Sequence, residues 1–122
     1  MVYCLIGRTQ YLVLKTIYEE VIEKGNELWM NELARRVIIR KFKLYNFSEP
    51  MIRYMVNMRS RDVTAPLETV LDVLENIGVI ERSREGRMVV VRRKKNVDFG
   101  TLLFMYVDYV YNEVFEDAEG KD

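Results

Sequence analysis

The chain is 122 residues long, 49% hydrophobic and 31% charged, with 19 basic and 19 acidic residues in balance; that is enough for one domain with a single core and too little for two. It has no histidine and one cysteine, Cys4, which excludes Ser-His-Asp and Cys-His catalysis, histidine-ligated zinc, an intramolecular disulfide and a thiolate cage. The six glycines are scattered and form no phosphate loop, so no catalytic residue, metal or cofactor is expected and the chain reads as not an enzyme.

Cys4 reads as buried and inert. The apolar run at residues 102–107 stops at Asp108, far short of the roughly 20 residues of a membrane span. The opening "MVYCLIGR" lacks the basic start of a signal peptide, so a cytoplasmic protein without a membrane segment is expected.

In residues 9–24 the apolar positions Tyr11, Leu14, Ile17, Tyr18, Val21 and Ile22 recur at three and four, predicting an amphipathic helix closed by Gly25. The short apolar "LWM" at 28–30 suits a brief strand. Asn31 is the expected cap of a second helix running to about Lys43, with Glu32 in its first turn and Leu33, Ala34, Val37 and Ile38 on one face. Tyr45 and Phe47 either stack on bases or pack the following loop against the core. Ser48, Glu49 and Pro50 start a third helix that sets Met51, Met55 and Met58 on one side and Arg53, Asn57, Ser60 and Arg61 on the other. Residues 62–65 break this pattern, and Thr64 is the expected cap of a fourth helix with Leu67, Val70, Leu71, Leu74 and Ile77 inward and Gly78 at its end.

"VIERSREGRMVVVRRKK" follows as two strands joined near Arg84-Glu85-Gly86-Arg87. After Asp98, "FGTLLFMYVDYVYNEVF" leaves Thr101, Asp108, Asn112 and Glu116 as a narrow polar strip on an otherwise apolar helix. That exceeds the roughly 100° stripe a surface helix buries on its own domain. A second copy of the chain is therefore expected on Leu103, Tyr106 and Val110. The tail "EDAEGKD" reads as a solvating end.

Charge is distributed unevenly along these elements. Residues 1–34 carry −2, 35–61 +7, 62–81 −5, 82–95 +6 and 96–122 −6. Phosphate meets the local patch and not the total, so two basic blocks are compatible with nucleic-acid binding in a neutral chain.

Over residues 9–95 the chain resembles the winged helix-turn-helix superfamily, in its prokaryotic and archaeal regulator form. The residues that carry the likeness are "ELARRV" and "TAPLETVLDVLENIGVIERSREGRMVVVRR", above all "LENIGVIERSREGRMVVV". The resemblance implies a mainly α fold with a small β-hairpin, the wing, that reaches the DNA backbone. Residues 1–96 would form the winged-helix domain, with an inserted helix, and 97–122 the dimerisation helix and acidic tail of the same domain. It implies a sequence-specific double-stranded DNA-binding homodimer in transcription regulation, or alternatively a winged-helix protein-docking module that binds no DNA. The arginine-rich composition suits a thermophilic source.

Two departures from the family leave the reading helix open. About 20 residues, including the third helix, separate "ELARRV" from the helix that enters the wing, and that helix turns Glu68, Asp72 and Glu75 outward. Either Thr64 and Thr69 of the fourth helix approach the groove, or Arg53 and Asn57 of the third read guanine and adenine edges. The expected DNA-binding set accordingly comprises Lys43, Arg53, Asn57, Arg59, Arg61, Thr64, Thr69, Arg82, Arg84 and Arg87.

Overall fold

The computed structural model describes residues 8–58, 61–94 and 98–113, and for Arg61, Asp62 and Phe99 the backbone alone. Helix α1 (Arg8–Ile17) continues as a π-helical turn at Tyr18–Glu23 and is followed by strand β1 (Leu28–Trp29). Helices α2 (Met30–Leu44), α3 (Glu49–Met58) and α4 (Arg61–Asn76) lead to the hairpin β2 (Ile80–Glu85) and β3 (Met88–Arg93), and α5 (Asp98–Tyr111) closes the described chain. The fold is thus mainly helical with a small antiparallel sheet, in strand order β1-β3-β2.

The expected apolar faces meet in one core, except that Ile77, expected inward, lies past the end of α4 and is 40% exposed. Leu14, Ile17 and Val21 of the first helix pack with Leu33, Val37 and Ile38 of α2, with Leu67, Leu71 and Leu74 of α4, and with Ile80 and Val91 of the sheet. Helix α5 adds Val107 to this core and approaches through Gly100, where a Cβ would stand 2.5 Å from Val79 Cγ1.

Two expected helix starts are corrected. Asn31 does not cap α2: the preceding residue, Trp29, is extended at φ −67 and ψ 145, and the helix begins at Met30 without a side-chain cap. Pairing of Leu28 with Val91 and Trp29 with Val90 holds the chain extended up to that point. Thr64 likewise lies inside α4 and not at its cap, because the helix starts at Arg61 and carries Pro66 within it. Val63, fully buried, supplies the apolar anchor for this extra turn, and its packing outweighs the backbone bond that proline cannot make.

Helix ends follow the sequence more closely. At the end of α2, Asn46 adopts a φ of 60, its N–H bonds to the Lys43 carbonyl, and the Phe47 N–H bonds to that of Phe42. This is a Schellman closure with asparagine in the place of glycine, and the Phe42 and Phe47 rings, 4.9 Å apart, provide its apolar contact. Phe47 therefore packs the loop onto the core, as one of the two sequence readings had it. Gly78, at φ 82, closes α4 in the same way, with Val79 N–H bonding to Leu74. Strand β2 begins two residues later.

Candidate nucleic-acid interface

On β2 burial falls from Ile80, in the core, to the exposed Glu85, while the adjacent Val90 and Val91 of β3 are both buried. Glu85 pairs with Met88, so Gly86 and Arg87 alone make the turn. Gly86 takes the positive φ of 65 that a two-residue hairpin requires. Of the hairpin's arginines, three are engaged within the chain. Arg92 meets Glu27 and Glu85, each at 3.0 Å. Arg93 donates to the Ile22 carbonyl at 2.8 Å and so ties the sheet to the end of the first helix.

Arg82 is the third. Its guanidinium lies 3.1 Å from Glu68, 2.5 Å from Asp72 and 2.8 Å from Glu75, and its side chain is 19% exposed. The hydrogen bonds from Arg82 outweigh burial and hold the Glu75 carboxyl below its ordinary range. The same bonds raise the Arg82 pKa against the opposing effect of burial. The outward acids of α4 and a residue expected to hold phosphate thus satisfy one another. Helical spacing aligns 68, 72 and 75, but the antiparallel return that sets Arg82 against them is a tertiary relation. Arg84 and Arg87 are exposed and form no ion pair with a described residue.

Much of the first basic block is engaged as well. Glu20, 7% exposed, pairs with Arg36 at 2.8 Å and Lys24 at 3.5 Å. Burial pushes its carboxyl up, and Lys24 and Arg36 outweigh this and leave it lowered. Arg40 pairs with Glu19 at 2.6 Å and donates to Thr16 at 3.2 Å. Glu32 holds Arg35 and Arg36. The Arg36–Glu20 and Arg40–Glu19 pairs fasten α2 to the first helix, and all of these pairs offset positive charge.

Two clefts collect what remains. One, of about 290 Å³, has Lys43 and Arg53 on its walls with Arg35 and Glu49, over Ile39, Ile52 and Val56. Its neighbour, of about 420 Å³, joins Asn31 and Arg35 of α2, Asn57 of α3, and Thr64 and Glu68 of α4. Asn57 and Thr64, taken from the two rival reading helices, therefore share one cleft. Thr69 is exposed, with its hydroxyl donating to the Ala65 carbonyl. Arg59, the Arg61 side chain, Lys95, Cys4, Glu116 and the acidic tail lie outside what the structure describes.

Sequence reasoning missed Asn31 and Arg35 as cleft residues; their spacing of four was a signal in plain view. It also missed how α3 sits. Ile52 is its buried residue, and Met51, Tyr54 and Met58 are exposed. On α5, Tyr106 is exposed, whereas Leu103 leans onto the core and Val110 is half-buried. Asp108 of the supposed polar strip faces inward and accepts the Tyr11 hydroxyl. The exposed stripe of α5 is Leu102, Met105, Tyr106 and Tyr109.

Among the described residues no acidic, cysteine or histidine cluster is arranged to hold a metal, and no helix is long and apolar enough to cross a membrane. No protein-family model, curated protein or solved structure matches the chain.

Proposed function

We propose that the chain is a sequence-specific double-stranded DNA-binding protein of the winged helix-turn-helix kind, a cytoplasmic transcriptional regulator that works as a homodimer. The observation that carries this reading is the hairpin tip, where Arg84 and Arg87 are exposed and unpaired among the described residues while Arg82, Arg92 and Arg93 are engaged. Uncompensated guanidinium groups on a narrow ribbon suit phosphate contact. The element order supports the reading: helix, short strand and helices, then a helix passing through Gly78 into a hairpin whose second strand pairs with β1. In this reading Asn57 and Thr64 face the groove from their shared cleft, Lys43 and Arg53 hold the backbone beside it, and the α5 stripe joins two copies.

Selection of duplexes from a random pool by the full chain, followed by affinity measurements across salt concentrations, tests the proposal. Enrichment of a motif bound with a steep salt dependence is expected. Failure to retain any duplex at low salt would sink it.

A second reading, a protein-docking module, is favoured by α4. Three carboxylates share one guanidinium there, so the face stays negative and repels phosphate. Partner binding that survives high salt, with no duplex retained, is the outcome that would favour docking.

A further inference from the structure

We propose that a third cleft, between the start of α1 and the ends of α2 and α5, binds a small anion with a planar aromatic body. Its volume is about 480 Å³, within the roughly 300–1,000 Å³ of small-molecule sites. Two lysines, Lys15 and Lys41, and three tyrosines, Tyr11, Tyr45 and Tyr111, stand in its lining, and no described residue adds a carboxylate to it. This composition excludes a cationic ligand and leaves a neutral one without a use for the charges.

One wall of the cleft is already built. The Tyr11 and Tyr111 rings stack with centroids 3.8 Å apart and planes 6° from parallel. The Tyr11 hydroxyl donates to Asp108, which lies outside the lining. Burial and this bond raise the Tyr11 pKa, so the ring stays a protonated donor. Lys15 Nζ stands 6.0 Å from the same ring's centroid, a cation held over an aromatic face.

Arg36 and Arg40 of α2 are paired with Glu20 and Glu19, whereas Lys15 and Lys41 pair with no acid among the described residues. A bound anion supplies the absent negative charge, and a flat aromatic body extends the Tyr11–Tyr111 stack. The site is independent of the DNA-binding reading, since none of its lining residues belongs to the hairpin, α3 or α4.

The test is an NMR titration of the full chain carrying labelled leucine methyl groups, with 1-naphthyl phosphate, 1-naphthol and inorganic phosphate as three separate probes. Naphthyl phosphate is expected to shift the methyls of Leu12 and Leu44, which line the cleft, in a saturable way. Naphthol and phosphate should each bind at least about tenfold more weakly. The double variant Lys15→Gln, Lys41→Gln should lose at least about tenfold in affinity for naphthyl phosphate, with the core signals of Leu33 and Leu74 unmoved as evidence of an intact fold. Equal binding of naphthol, unchanged affinity in the double variant, or shifts confined to Leu102 and Leu103 would overturn the proposal. So would contacts from Leu5 to Leu12 and Leu44 that the probe does not displace, because the chain itself would then be the occupant.

Discussion

Arg82 and Glu75 meet twice: the guanidinium Nη2 lies 2.8 Å from Glu75 Oε1, and the Arg82 backbone N–H donates to Oε2 at 3.2 Å. With Glu68 and Asp72 on the same guanidinium, one side chain of β2 joins three positions along α4. The hairpin is thereby fixed to the helix that precedes it. A charge that composition alone assigned to phosphate serves to aim its neighbours, Arg84 and Arg87.

Arg82→Ala should therefore lower stability in urea by about 1–2 kcal/mol at pH 7, a modest loss because the carboxylates it leaves are reached by solvent. The effect depends on pH with a definite sign. Glu75 and Glu20 are held below their ordinary pKa, so each contributes stability above the unfolded value of about 4.3 and loses it as pH falls toward the folded value. The native chain should lose stability on acidification below that point, and Arg82→Ala should lose less of it. Parallel pH profiles for the two proteins would show that the clasp does not form.

At the hairpin tip the prediction concerns DNA. Arg84→Ala together with Arg87→Ala should weaken binding alike on all duplexes, because phosphate contacts carry no base information. The slope of log affinity against log salt should flatten by up to about 1.8, at about 0.9 for each phosphate that is no longer neutralised. An unchanged slope removes the tip from the interface. Stability should be unaltered, since neither side chain pairs with a described residue.

What was legible in the sequence follows from the range of the interactions involved. Periodicity at three and four marked α1, α2 and α4, and Gly86 marked the turn, because those signals are local. Thr64 misled because Val63 buries one more turn than local capping chemistry suggests. Among the site residues, Arg84 and Arg87 are exposed and pair with no described residue. Arg82, at 7 to 14 residues from its partners, was misjudged because its engagement depends on how the chain returns. The Asp108 carboxylate, 97 residues from Tyr11, was beyond any pattern along the chain.

The end of α2 offers a stability test free of the site. Asn46 holds a φ of 60, a conformation that costs a side-chain-bearing residue more than glycine. Asn46→Gly should raise stability by about 0.5–1 kcal/mol with the Schellman bonds retained. A loss in the urea midpoint would mean that the Asn46 side chain contributes something its backbone geometry does not reveal.

The final prediction addresses association. On α5 a carboxylate, Asp108, is turned in toward Tyr11 while Leu102, Met105, Tyr106 and Tyr109 face outward, Tyr109 at 63% exposure. Their spacing of three, one and three forms a single stripe along the helix. A stripe of this kind on a lone copy exposes apolar surface that a two-fold partner would cover with the same residues. Tyr109→Glu places two like charges in such an interface, one from each copy, and should yield monomers in sedimentation equilibrium. It should leave the fold intact, since Tyr109 is exposed. If a dimer holds two half-sites, the monomer should bind DNA weaker by about 100-fold or more through the loss of avidity. An unaltered protein that sediments as a monomer at every concentration removes the stripe's proposed role. A Tyr109→Glu dimer moves the interface elsewhere, and the exposed Met51, Tyr54 and Met58 face of α3 is then the surface to charge next.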